Sequence, residues 1–156
     1  FNMIRGRDGR TLREKWESEG TKTFLGMHSA GFPNLMIMNG PQGGGGQFNF
    51  TRVSEMHANY VVWALQTMKE RGARTIDVTK QAEDEYAQHC AEMDLLSAPL
   101  RDCFSYYNGD GNAKPGSLAY YGGGQRWHDR RMQAQETMEP YVLDFAEAER
   151  ESVPAQ

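Results

Sequence analysis

Leu35-Met36-Ile37-Met38-Asn39-Gly40-Pro41-Gln42-Gly43-Gly44-Gly45-Gly46-Gln47 is the stretch on which the reading of the fold turns. Four apolar residues in a row, bounded by Pro33-Asn34 before and Asn39-Gly40-Pro41 after, read as a buried strand of a sheet covered on both faces. Four consecutive glycines then force a loop, because glycine loses more backbone freedom on ordering than any other residue. That loop is either a flexible surface connection or a backbone that must approach a ligand closely. From about Arg52 the spacing changes. Val53, Met56, Tyr60, Trp63, Ala64 and Met68 recur at helical period, and Gly72 stops the helix after Arg71. Strand, glycine loop and helix in this order make an α/β ligand-binding unit, where ligands sit at strand ends and helix starts.

Working outward, residues 5–19 are polar and charged around an Asp8-Gly9 turn, and residues 21–25 are expected to form a short strand ending at Gly26. Thr75-Ile76-Asp77-Val78 is β-leaning. Thr79 is placed to cap a second helix running to about Met93, with Ala82, Tyr86, Cys90 and Met93 on one stripe. Residues 98–115 are irregular and aromatic, and residues 118–121 suggest another strand. A third helix is expected over 125 to about 137, strand-like content follows at 141–145, and 146–156 form a flexible polar tail.

At 156 residues the chain fits a single domain. Its hydrophobic content of 38% lies below the norm of roughly 45–50%. With 17 glycines and a mean hydropathy of −0.74, it is either loop-rich or reliant on surfaces it does not itself contain. The net charge is −4, and the densest basic stretch, 126–131, is interrupted by Asp129. This argues against a nucleic-acid partner, which needs a concentrated basic face. No apolar run approaches a membrane span. Cys90 and Cys103 form no C-x-x-C, so the expectation is a reduced, cytoplasmic protein.

Other chemistry-bearing residues read as structural. His28, His57, His89 and His128 lack metal-ligand spacing, and His57 reads as a hydrogen-bonded structural histidine. Asp77, Glu83 and Glu85 read as a solvated helix start rather than paired hydrolytic carboxylates. Met27, Met36, Met38, Met56 and Met68 read as core filler. The glycine run lacks the Gly-Lys-Ser/Thr of a phosphate loop. Phe48 and Phe50, off any periodic stripe, fit pocket lining and plain packing equally.

Several short words occur in one order. They are Ile4-Arg5-Gly6-Arg7-Asp8-Gly9-Arg10-Thr11-Leu12 with Trp16, Leu25-Gly26-Met27, Gly31-Phe32-Pro33-Asn34-Leu35, Asn39-Gly40-Pro41 and Glu55-Met56-His57. Ser105-Tyr106-Tyr107, Lys114-Pro115 and Tyr121-Gly122-Gly123 follow. Together, over roughly residues 4–145, this series resembles the Baeyer–Villiger type of flavin-containing monooxygenase. The resemblance implies the C-terminal part of a Rossmann-like FAD-binding domain: the buried strand, glycine loop and helix, with additional helices and short strands. It implies FAD and NADPH as cofactors. Gly40, Pro41, Gln42, Asn49, Phe50 and Thr51 would lie near the flavin ring, with N–H groups at the helix start facing its negative charge. Phe48 and Phe50 would line a ketone pocket, and Tyr106 would belong to a loop that folds over the nicotinamide.

Two departures stand out. Ser105-Tyr106-Tyr107 stands where many relatives carry Ser-Trp-Tyr, and four glycines replace a bulkier flavin loop. No G-x-G-x-x-G follows a strand, and the family's F-x-G-x-x-x-H-x-x-x-W/Y fingerprint is absent. Without them the FAD pyrophosphate has no cradle here. The expectation is therefore a single segment, 1–156, with no catalytic residue of its own and no activity alone. Its partner would be the remaining N-terminal part of the enzyme, or a second chain carrying it. Acting together, the two would insert one oxygen atom next to a ketone carbonyl to give an ester or lactone. The alternative is a non-catalytic, free-standing fragment that packs against a partner or itself.

Overall fold

The computed structural model of the chain describes residues 2–43, 49–94 and 123–145. In chain order the elements are α1 (Leu12–Glu19), α2 (Phe50–Arg71), β1 (Thr75–Val78), α3 (Lys80–Asp94), α4 (Gly124–Thr137) and β2 (Tyr141–Asp144). The described chain is thus α/β, with helices predominating.

Helix α2 is the organising element. Asn49 caps its start, its side-chain oxygen accepting from the amides of Thr51 and Arg52, and Gly72 ends it in the left-handed region at φ 69. One face buries Val53, His57, Tyr60, Ala64 and Thr67, and Met56, Trp63 and Met68 pack against the same core. The other face leaves Val62 and Leu65 in solvent. The helical period read from the sequence is the period the structure uses.

β1 and β2 pair antiparallel, with Thr75 opposite Asp144 and Val78 opposite Tyr141. Thr79 caps α3 as expected: its Oγ1 accepts from the Ala82 amide at 3.1 Å and its carbonyl from the Glu83 amide at 3.2 Å. The main core joins Tyr60 and Ala64 of α2, Ile76 and Val78 of β1, Tyr86 and Cys90 of α3, Trp127 and Ala134 of α4, and Tyr141 of β2 to Phe24, Leu25 and Met27. Each fully buried large side chain here contributes on the order of 1.5–3 kcal/mol. Burial holds the Cys90 thiol protonated, with its pKa pushed up to about 12.

Helix α1 is an element the sequence reading did not resolve. A capping box starts it: the Thr11 side chain accepts from the Glu14 amide while the Glu14 carboxylate accepts from the Thr11 amide. Leu12 and Trp16 bury with Phe32 in a second, smaller cluster, against which Ile4, Leu35 and Ile37 pack.

Several expectations are corrected. Residues 35–38 form no strand and are only partly buried, and Met38 is 47% exposed. The physical reason is the lack of a neighbour. The Ile37 amide donates to the Met27 carbonyl at 2.8 Å, but the one sheet among the described residues is the β1–β2 pair, elsewhere in the chain. Residues 21–25 form no strand either. Leu25 and Gly26 take left-handed conformations, at φ 56 and 72, and turn the chain back so that Phe24 and His28 make an isolated bridge. Asp77 and Glu83 are buried rather than solvated, at 3% and 0% exposure. Asp77 is reached by Arg7, and Glu83 by Lys15. Glu85 is exposed as expected. The expectations for residues 44–48, 98–115, 118–121 and 146–156 and for Cys103 lie outside the described residues. No described helix is long and apolar enough to cross a membrane.

Candidate functional site

The segment after residues 35–38 is a tight turn, Asn39-Gly40-Pro41-Gln42-Gly43, closed by a hydrogen bond from the Gly43 amide to the Gly40 carbonyl at 3.0 Å. Asn39 and Gln42 both sit in the left-handed region, at φ 53 and 65. For residues with a Cβ, each such conformation costs on the order of 1–2 kcal/mol and persists only when the surroundings hold it.

The surroundings do so from several directions. The Gln42 side chain is fully buried; its Oε1 accepts from the Thr23 amide at 3.0 Å and lies equally close to the Thr23 hydroxyl. The Tyr86 hydroxyl on α3 donates to the Gln42 carbonyl at 2.8 Å. From α2, His57 Nδ1 accepts the Asn39 amide at 3.0 Å. Asn39 Nδ2 donates to Ser54 Oγ at 2.9 Å, and that hydroxyl in turn donates to the Phe50 carbonyl. The turn is therefore bound directly to the first turns of α2.

Glycine is required where the backbones meet. A Cβ on Gly26, already at φ 72, would fall 2.1 Å from the Gly43 Cα, and one on Gly40 would fall 2.5 Å from the Gly26 carbonyl oxygen. No side chain fits either position without moving backbone.

The structure thus brings Gly40, Pro41 and Gln42 together with the α2 start, the location of Asn49, Phe50 and Thr51. Asn49 and Thr51 are exposed, and Phe50 presents 63% of its surface to solvent. Two details narrow the sequence expectation. The amides of Thr51 and Arg52 are taken by the Asn49 side chain, so the dipole of the 22-residue helix, rather than those two N–H groups, is what remains to act on a nearby negative charge. Gln42 is wholly buried, its side chain bound to Thr23 and its carbonyl to Tyr86, so it holds the turn from within rather than offering a surface to a ligand. Phe48 and Tyr106 lie outside the described residues.

Two histidines stand in or near this region in neutral form. Burial pushes the His57 imidazole down to about 4, with the Gly43 backbone pulling weakly the other way. Burial likewise lowers His28 to about 4; its Nε2 lies 3.0 Å from the Tyr60 hydroxyl, which donates to Tyr141 at 2.8 Å. A further buried polar cluster centres on Lys15 of α1 and Glu83 of α3. Lys15 Nζ donates to Ser29 Oγ, the Ala30 carbonyl and both Glu83 oxygens at 2.7–2.9 Å. The sequence reading missed Gly26, Asn39 and the Lys15–Glu83 pair as determinants. The signal present was the Asn-Gly-Pro word itself, which marks a turn without saying what holds it. Among the described residues no group of three or more His, Cys, Asp or Glu is placed to hold a metal ion.

No family profile matches the chain. It is 32% identical over 131 residues to a Baeyer–Villiger monooxygenase of Streptomyces coelicolor (strain ATCC BAA-471 / A3(2) / M145), a match covering 81% of this chain and 21% of the relative. Its fold superposes on oxidized steroid monooxygenase bound to NADP with a TM-score of 0.77 at 28% identity, covering 90% of this chain and 26% of that one. It superposes on OTEMO in complex with FAD and NADP with a TM-score of 0.73 at 25% identity, covering 89% and 27%. The architecture is thus that of one portion of the flavin-monooxygenase fold. Within that class the chain belongs with the Baeyer–Villiger monooxygenases, as the order of its short motifs implied. It spans about a fifth of the length of the relative it matches.

Proposed function

We propose that this chain is the C-terminal portion of an FAD- and NADPH-dependent Baeyer–Villiger monooxygenase, and that the Asn39–Gly43 turn with the start of α2 forms one wall of its flavin site. The observation that carries this reading is the turn itself: two left-handed residues and closely packed glycines are held against a helix N-terminus by bonds from α2, α3 and Thr23. Such over-determined strain is characteristic of ligand sites, and the likeness to Baeyer–Villiger monooxygenases supports FAD as that ligand.

The residues fit that group. Gly40 and Pro41 are partly open, with the buried Gln42 holding them in place, and Asn49, Phe50 and Thr51 stand exposed at the positive end of α2. The half-bare Phe50 ring suits a pocket wall whose opposite side comes from the rest of the enzyme. Phe48 and Tyr106 would add a second pocket residue and a contact to the nicotinamide. When bound, the flavin would take hydride from NADPH and deliver one oxygen atom from O2 beside a ketone carbonyl, giving an ester or lactone. This chain's residues would bind and orient the ring and exclude water; the pyrophosphate cradle and the nicotinamide domain would come from the remaining N-terminal part of the enzyme or from a second chain.

Co-expression of this chain with that missing part, followed by purification, tests the reading. The expected product is yellow, carries stoichiometric FAD, and oxidises NADPH in proportion to ketone converted to lactone. A colourless, well-folded assembly with no ketone-dependent NADPH oxidation would favour a non-catalytic packing role.

A further inference from the structure

We propose that His57 is a positioning residue for the flavin wall: its neutral ring, protonated at Nε2, clamps the Asn39–Gly43 turn onto the second turn of α2 and so sets the stance of Gly40, Pro41 and Gln42. This deepens the reading above and rests on it for the identity of the ligand.

The geometry carries the argument. A backbone amide can only donate, so the 3.0 Å contact from the Asn39 amide makes Nδ1 the acceptor and leaves the proton of the neutral ring on Nε2. His57 is completely buried. Its Nε2 has no partner at good hydrogen-bond geometry among the described residues and lies on the side of the Gly43 backbone, where a Cβ on Gly43 would stand 3.2 Å from His57 Cε1. On its other side the ring packs against Trp127 of α4, with centroids 5.2 Å apart, and the Trp127 indole is itself fixed to the Leu25 carbonyl at 3.2 Å. The imidazole therefore cannot swing away. It touches the turn at both ends: Asn39, where the chain enters, and Gly43, where it leaves.

Asn39 is the residue most in need of such a clamp, because its φ of 53 is costly and its Oδ1 is buried without a partner. Removing the acceptor at Nδ1 would leave the Asn39 amide unpaired as well, and the turn would relax toward an ordinary conformation. Relaxation there moves the backbone of Gly40 and Pro41, which are the atoms proposed to meet the ring.

The test compares two variants in the flavin-loaded assembly. His57→Asn keeps an acceptor at the Nδ1 position but loses ring volume, whereas His57→Phe keeps the ring and loses the acceptor. The expected result is that His57→Phe weakens FAD retention about ten-fold and shifts the flavin absorbance band, while His57→Asn restores most of both. Equal impairment in the two variants, or an unchanged flavin spectrum in His57→Phe, would overturn the proposal. An independent readout needs neither flavin nor substitution: nitrogen-15 spectra of the unmodified chain should show the His57 proton on Nε2 with Nδ1 bare. A proton on Nδ1 overturns the clamp, and so does a ring that titrates as a free imidazole. If the unmodified assembly takes up no flavin, the proposed function fails while the spectra still decide the clamp.

Discussion

Residues 21–43 and the block formed by α2, β1, α3, α4 and β2 are built on different principles. The block is regular. Its helices bury apolar stripes, its two strands pair in simple register, and its stability is spread over many similar contacts, so most single positions are replaceable. Residues 21–43 contain no helix or strand among the described elements. They are shaped by left-handed residues at Leu25, Asn34, Asn39 and Gln42, by glycines whose backbones touch, and by individual hydrogen bonds. In such a segment each residue answers for a particular contact. The proposed flavin wall lies where the two meet.

This contrast is open to direct attack, beginning where it should be greatest. Gly26→Val places a side chain on the Gly43 backbone at a φ of 72; the expected loss exceeds about 4 kcal/mol, read as failure to fold or as a collapsed denaturant midpoint. A stability change below about 1 kcal/mol would mean that the turn is not packed as described. Next comes Glu83→Ala, which strands the buried Lys15 ammonium among Ser29, Ala30 and Phe32. Breaking one side of a buried pair costs roughly 3–5 kcal/mol, and Lys15→Met with Glu83→Leu together should recover much of it.

Acid provides a milder perturbation. His28 and His57 both have folded pKa values near 4, lowered by burial from 6.5, so between those values the unfolded chain binds more protons than the folded one. Their contribution is complete above about pH 6.5 and is lost as the pH falls to about 4. It is on the order of 3 kcal/mol for His28 and less for His57. Asp77, whose carboxyl is raised by burial, acts in the opposite sense in the acid range. Thermal melts at pH 7, 5.5 and 4.5 should fall in that order; a flat profile would contradict neutral buried rings. The smallest effect belongs to the outer face of α2, where Val62→Gln or Leu65→Gln should change the stability of this chain by less than about 0.5 kcal/mol, as read from its melting temperature. A larger loss would mean that this face is covered.

The same division explains what could be read from the sequence. Helical period located α2 and α3 because Val53, Tyr60 and Ala64, or Tyr86 and Cys90, repeat at the spacing of a helix face and bury together. Gly72 and Thr79 announced their termini by ordinary cap chemistry. Helix α1 escaped because only Leu12 and Trp16 mark its buried face, although Thr11 and Glu14 spelled its capping box. Residues 35–38 misled because a run of apolar residues reports burial and not pairing, and the partner such a run needs is absent from the described chain. Glu83 was misplaced because an acid near a helix start is ordinarily solvated. Nothing local shows that Lys15, 68 positions earlier, is folded against it. Gly40, Pro41 and Gln42 were identified as a group from the family likeness, but their attachment to His57 and Tyr86 arises from tertiary contacts that no short motif encodes.

The central claim is spatial, and a crystal structure of the assembled, FAD-loaded enzyme tests it most directly. The account predicts the flavin ring in van der Waals contact with the backbone of Gly40 and Pro41, at the Asn49 end of α2. Flavin bound with this turn and helix start outside its contact shell would contradict it.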